Sequence, residues 1–87
     1  MVKKVRWSDK AISDRQGVFE ANVEGGSLRF ATKEDKKIAN GVDIIRNNNF
    51  IGRDDLHPKG RLYSLPKRYK ILYRLQDDFI SIERVFH

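Results

Sequence analysis

The stretch from Arg61 to Phe86 is written almost entirely as strand. Runs over Arg61–Leu65, Tyr69–Leu75 and Phe79–Phe86 are rich in Tyr, Ile, Leu, Val and Phe, and they are broken by Pro66-Lys67 and Asp77-Asp78. Breaks this short join neighbouring strands antiparallel, and a sheet made this way needs cover on one face only. The hydrophobic pattern also selects a register. With Asp77-Asp78 as the turn, Leu75 faces Ile80, Tyr73 faces Ile82 and Tyr69 faces Phe86, and Ile71 joins them on one apolar face. The opposite face then carries Arg68, Lys70, Arg74, Ser81, Glu83 and His87. A slip of one residue sets Ile71 against Glu83 and scatters both groups. Arg84 is the residue that fits worst, because it falls on the apolar side.

The cover has to come from the N-terminal half. Val5 and Trp7 alternate with Lys4 and Arg6, the period of a short half-buried strand. Ser8 ends it and caps a helix expected over Asp9–Ala21, weakened by Gly17, and Gly25-Gly26 marks a turn. A second helix is expected from a cap at Thr32, with Asp35 three residues on and Ile38, Val42 and Ile45 in one stripe beside Ala39. It should end near Asn47, before a loop-like stretch from Gly52 to Gly60 that contains His57-Pro58. The expected fold class is α+β in the order β-α-α-β-β-β. It has a mostly antiparallel four-stranded sheet, both helices on one face, and a single domain over 1–87.

Composition narrows the function. A chain of 87 residues hides only about 60–65% of its unfolded surface, which excludes a multi-domain enzyme with its own cofactor fold. There is no cysteine, so packing alone must hold the fold. No apolar run suits a secretory signal or a membrane span, and a cytoplasmic protein is expected. The net charge of +6 favours polyanionic partners. Its focus lies between Lys59 and Arg74, where Lys59, Arg61, Lys67, Arg68, Lys70 and Arg74 meet no acid and Tyr63, Tyr69 and Tyr73 are interleaved. Lys59, Tyr63, Lys67, Arg68 and Arg74 are therefore candidate nucleic-acid contacts, although a tyrosine in a strand is more often ordinary packing. His57 and His87 with scattered carboxylates make no metal motif, and there is no Gly-rich phosphate loop or Ser-His-Asp set. Neither a metal nor a cofactor is expected. Ser8 is explained as a helix cap rather than a nucleophile.

Four segments in order, Val5-Arg6-Trp7-Ser8, Asn49-Phe50-Ile51-Gly52-Arg53, Tyr69-Lys70-Ile71-Leu72-Tyr73-Arg74 and Ile82-Glu83-Arg84-Val85-Phe86-His87, resemble the RelE/ParE toxins of type II toxin-antitoxin systems. The resemblance implies a toxin held inactive by a labile, partly disordered acidic antitoxin. It also implies one of two activities. One branch of the family cleaves messenger RNA on the ribosome and so inhibits translation; the other poisons DNA gyrase. A non-catalytic member, acting through antitoxin or RNA binding, is the third reading.

Metal-independent endoribonuclease chemistry needs a base for the 2′-hydroxyl, a cation for the charge on the phosphate, and an acid for the leaving oxygen. His87 resembles the near-terminal histidine of YoeB-like nucleases, although a frayed terminal histidine is its plain alternative. Lys70 stands where those nucleases carry an arginine, and it supplies charge without the planar fork. Arg61 resembles a basic position on the preceding strand, whose second basic position is Tyr63 here. Together the resemblance expects Lys70 and Arg61 to stabilise charge while His87 moves a proton. Glu83 either serves as base or orienting group, or pairs with Lys70 or Arg74.

Overall fold

Ser8 turns the first strand into the first helix. In the computed structural model, which describes residues 3–87, β1 (Lys4–Trp7) runs into Ser8, whose extended backbone and hydroxyl, accepting from the Ala11 amide, start α1 (Asp9–Gly25). Gly17 is absorbed without a break. The second helix, α2 (Leu28–Asn47), begins earlier than expected, because Ser27 rather than Thr32 is its cap and accepts from the Phe30 amide. Thr32 lies inside the helix and its hydroxyl donates to the Leu28 carbonyl at 2.9 Å. The buried stripe accordingly starts a turn and more before Ile38, at Ala31 and Glu34.

The sheet contains β1, β2 (Arg61–Ser64), β3 (Lys70–Leu75) and β4 (Phe79–Phe86), in the order β1-β4-β3-β2. It is mixed, not mostly antiparallel. The two hairpin pairs are antiparallel, and β1 lies parallel to β4, with Val5 beside Ile80 and Trp7 beside Ile82. Alternation in Val5 and Trp7 identifies a half-buried strand but carries nothing about the direction of a partner more than seventy residues away. Both helices pack on one face. Ala11, Val18, Ile38, Val42 and Ile45 meet Tyr69, Ile71, Tyr73, Ile80, Ile82 and Val85 in one core, and each such large side chain contributes about 1.5–3 kcal/mol by leaving water. Glu34 is buried among them at 1% exposure, held by Lys37 at 2.6 Å and by the Tyr69 hydroxyl at 3.0 Å. The Lys37 hydrogen bond, more than the tyrosine, keeps its carboxyl below the ordinary range.

The β3–β4 hairpin follows the expected register only at first. Leu75 pairs with Ile80 and Tyr73 with Ile82, after which a bulge shifts the ladder so that Leu72 meets Arg84, Ile71 meets Val85 and Lys70 meets Phe86. Glu83 is the extra residue, and the expected pairing of Tyr69 with Phe86 is lost. The physical reason is Arg84. A straight register sends it into the core opposite Ile71, whereas the bulge puts Val85 there at 4% exposure and turns Arg84 out. Arg84 then grips Asp14 of α1 through two hydrogen bonds of 2.7 and 3.0 Å, and Asp14 also accepts from the Val85 amide at 3.0 Å. Together with Ser8, whose amide donates to the Ile82 carbonyl and whose hydroxyl donates to that of Glu83, this closes the edge of β4 beyond the end of β1. No helix among the described residues is long and apolar enough to cross a membrane.

Candidate functional site

The segment between α2 and β2 is fastened from beneath by Tyr73. The Tyr73 hydroxyl accepts from the Gly52 amide at 2.9 Å and donates to the Asn49 carbonyl at 2.7 Å. Its ring lies so close that a Cβ on Gly52 would sit 2.7 Å from it, which only glycine avoids. Burial raises the pKa of this phenol above its ordinary value, so it holds its proton more firmly than a free tyrosine. Arg61, opposite Tyr73 on β2, donates to the Gly52 carbonyl at 2.7 Å and lies 4.9 Å over the ring of Phe50. Arg53 next pairs with Leu62 through two backbone hydrogen bonds of 3.0 and 2.9 Å, closing the outer edge of β2.

From Asp54 to Gly60 the chain lies against the sheet face turned away from the helices. Leu72 points to that face and is nevertheless only 2% exposed, and the His57 ring sits 6.4 Å from that of Phe86. Two hollows of about 560 and 810 Å³ open along this segment and share His57, Pro58, Lys59 and Glu83. The smaller reaches Leu72, Phe86 and Lys10; the larger reaches Asp54, Arg61 and Arg74. Glu83, placed by the bulge, is held by the Ser81 hydroxyl. The Nδ1 of His57 accepts from the Lys59 amide at 3.1 Å, so a neutral ring carries its proton on Nε2 and can donate from there.

The residues singled out from sequence divide between the two faces. Lys59, Arg74 and Glu83 line the outer hollows, and Lys70 is exposed on that same outer face beside Phe86. His87 is on the other side, because the bulge reverses it, and its ring stacks on Tyr69 at 5.4 Å. Arg61 is rooted on the inner face, with its guanidinium committed to Gly52, Phe50 and, at 3.6 Å, Asp54, where it borders the larger outer hollow. Tyr63 packs against the core. Arg68 lies 3.7 Å from Glu34 and over Phe30, also on the helix side. Lys67 sits at the β2–β3 turn with φ of 81°. Lys70, Arg61 and His87 thus do not share a face, and the expectation that Lys70 and His87 do is corrected by the bulge. His57 is the residue that sequence reasoning passed over. Its one signal was position, in a Gly-bounded loop directly before the basic strand.

No family model matches the chain, and none of the curated proteins matches it. Among solved structures, a chain of the "Chromosomal ParDE TA system from P. aeruginosa" superposes with a TM-score of 0.86 at 21% identity, over 99% of this chain and 96% of that one. The two chains share one fold. In this shared fold the outer hollows open on the sheet face away from the helical hairpin, the smaller one meeting α1 only at its first residues, Asp9 and Lys10. Chemically, the outer face combines a carboxylate, an imidazole donor, the cations Lys59, Lys70 and Arg74, and a flat apolar floor.

Proposed function

We propose that this chain is the toxin of a type II toxin-antitoxin pair, restrained by a small acidic antitoxin. The fold it shares with a chain of a ParDE system, over nearly the full length of both, carries this reading. The charge of +6 supports it, since a disordered acidic segment could neutralise many cations at once. So does the helical side, where Trp7, Ile12 and Phe19 border a hollow of about 500 Å³ able to take apolar anchors.

Within that class the gyrase-directed reading takes first place, ahead of cleavage of messenger RNA on the ribosome. The separation of His87 from Lys70 across the sheet favours it, because proton transfer and charge stabilisation at one phosphate need both groups within reach of it. Cleavage stays as a second reading on different residues, since Glu83, His57, Lys59 and Arg74 border one outer hollow. Induction in cells, with transcript cleavage and gyrase-linked DNA breaks read in parallel, separates the two. The expected result is growth arrest with DNA breaks and intact transcripts, relieved by the acidic partner and unaffected by His87→Gln or Lys70→Ala. Cut transcripts without gyrase-linked breaks would move the nuclease reading to first place. A chain that is harmless when expressed alone would remove the toxin reading altogether.

A further inference from the structure

We propose that the smaller outer hollow is a nucleotide pocket selective for guanine, a binding site independent of the toxin reading. Its volume of about 560 Å³ falls in the range of small-ligand pockets, roughly 300–1,000 Å³. Three features of its walls identify the ligand. The floor and roof are apolar and partly flat, made by Leu72, Phe86 and Pro58, as an unstacked base requires. At the seam with the larger hollow stands Glu83, a carboxylate that only accepts hydrogen bonds and spends one of its acceptor sites on Ser81.

A base suited to a carboxylate must offer adjacent donors. Guanine does so with N1–H and its exocyclic amine, whereas uracil offers a single N–H and adenine places an acceptor beside its amine. His57 supplies the complementary donor. Its Nδ1 is occupied by the Lys59 amide, which leaves Nε2–H as the one free ring donor for the guanine carbonyl oxygen. Lys10 and Lys59 border the same hollow and are the cations available to a 5′-phosphate, because Arg84 is already taken by Asp14. The larger hollow continues past Lys59 to Arg74, so a strand could run on from the bound nucleotide with its next phosphate near that arginine.

The test uses the purified full chain, with amide chemical shifts followed as GMP, AMP, UMP, guanosine and inorganic phosphate are added separately. GMP is expected to give saturable shifts at His57, Lys59, Leu72, Glu83 and Phe86. AMP and UMP should bind about ten- to a hundredfold more weakly, the discrimination a bidentate carboxylate contact supplies. Glu83→Gln should erase the preference for GMP over AMP, and Lys59→Ala, at an exposed position, should weaken both nucleotides by the same factor. Guanosine should keep the base-dependent shifts at lower affinity. Shifts reproduced by phosphate alone would reduce the pocket to an anion patch, and equal binding of all three nucleotides would remove the role of Glu83. No shift at millimolar GMP would overturn the pocket itself. Because the assay contains no antitoxin, ribosome or gyrase, each of these failures leaves the toxin reading untouched, and failure of the toxin reading in cells leaves this pocket standing.

Discussion

Removing one oxygen atom tests how the site segment is held. In Tyr73→Phe the ring stays against Gly52, while the hydroxyl that joins the Gly52 amide and the Asn49 carbonyl disappears. Leaving a buried polar group unpaired costs about 1–3 kcal/mol. The Gly52 amide bears that in full and the less buried Asn49 carbonyl in part, so the expected loss is about 2–4 kcal/mol. Small domains total only about 5–15 kcal/mol, and each kcal/mol lowers the melting temperature of a 60–100-residue domain by about 4–8 °C, so a fall of at least about 8 °C is expected. Urea titration should show the midpoint dropping with little change in slope, and exchange of the Gly52 amide should accelerate more than that of the central strands. Tyr63→Phe is the control, since the Tyr63 ring packs on the core and its hydroxyl has no hydrogen-bond partner among the described residues. A loss below about 0.5 kcal/mol for Tyr73→Phe, or an equal loss for both variants, would show that water replaces the hydroxyl and that the segment is held by packing alone.

Three further outcomes are expected. Asp14 and Glu34 have carboxyls held below their ordinary values, Asp14 chiefly by the Arg84 hydrogen bond and Glu34 chiefly by that of Lys37, so the stability they confer is present above the unfolded values and is lost as pH falls below about 4. The urea midpoint should drop between pH 6 and pH 3 in the wild type and drop less in Asp14→Asn; equal drops would refute the assignment. Gly41→Ala brings a Cβ to 2.8 Å from Leu65 and 3.1 Å from Ile71, so thermal melts should show a loss of about 1–3 kcal/mol from overpacking. Lys67→Gly relieves a left-handed backbone and should raise stability by up to about 1 kcal/mol, the cost of that conformation less the added freedom of glycine when unfolded. A lowered melting temperature there would contradict the strain.

The parts of the fold legible in the sequence are those written locally. The limits of β4 came through intact, because alternation and an Asp-Asp turn are both properties of neighbouring residues. The bulge left one trace, an arginine on the wrong face, and reading it correctly needed Asp14, a partner seventy positions away. Ser27 and Thr32 are both fit to cap, and only the burial of Ala31 and Glu34 decides between them. At the outer site, Lys59, Arg74 and Glu83 were visible as charge, while His57 was not, because a loop lying across a sheet has no periodicity to betray which side chains turn inward.

The parallel pairing of β1 with β4 has a consequence for the order of events during synthesis. Each antiparallel partner follows its neighbour closely, whereas, among the described elements, β1 emerges first and the strand it pairs with, β4, emerges last. Until Phe79 and the residues after it are made, the helical hairpin has no Ile80, Ile82 or Val85 to pack on, and Asp14 has no Arg84 to bind. Long-range closure of this kind is the slow step in folding and leaves apolar surface open while it waits. A nascent chain interrupted before the last strand therefore lacks the partners of both β1 and the helical hairpin, which ties any activity of this protein to synthesis of β4.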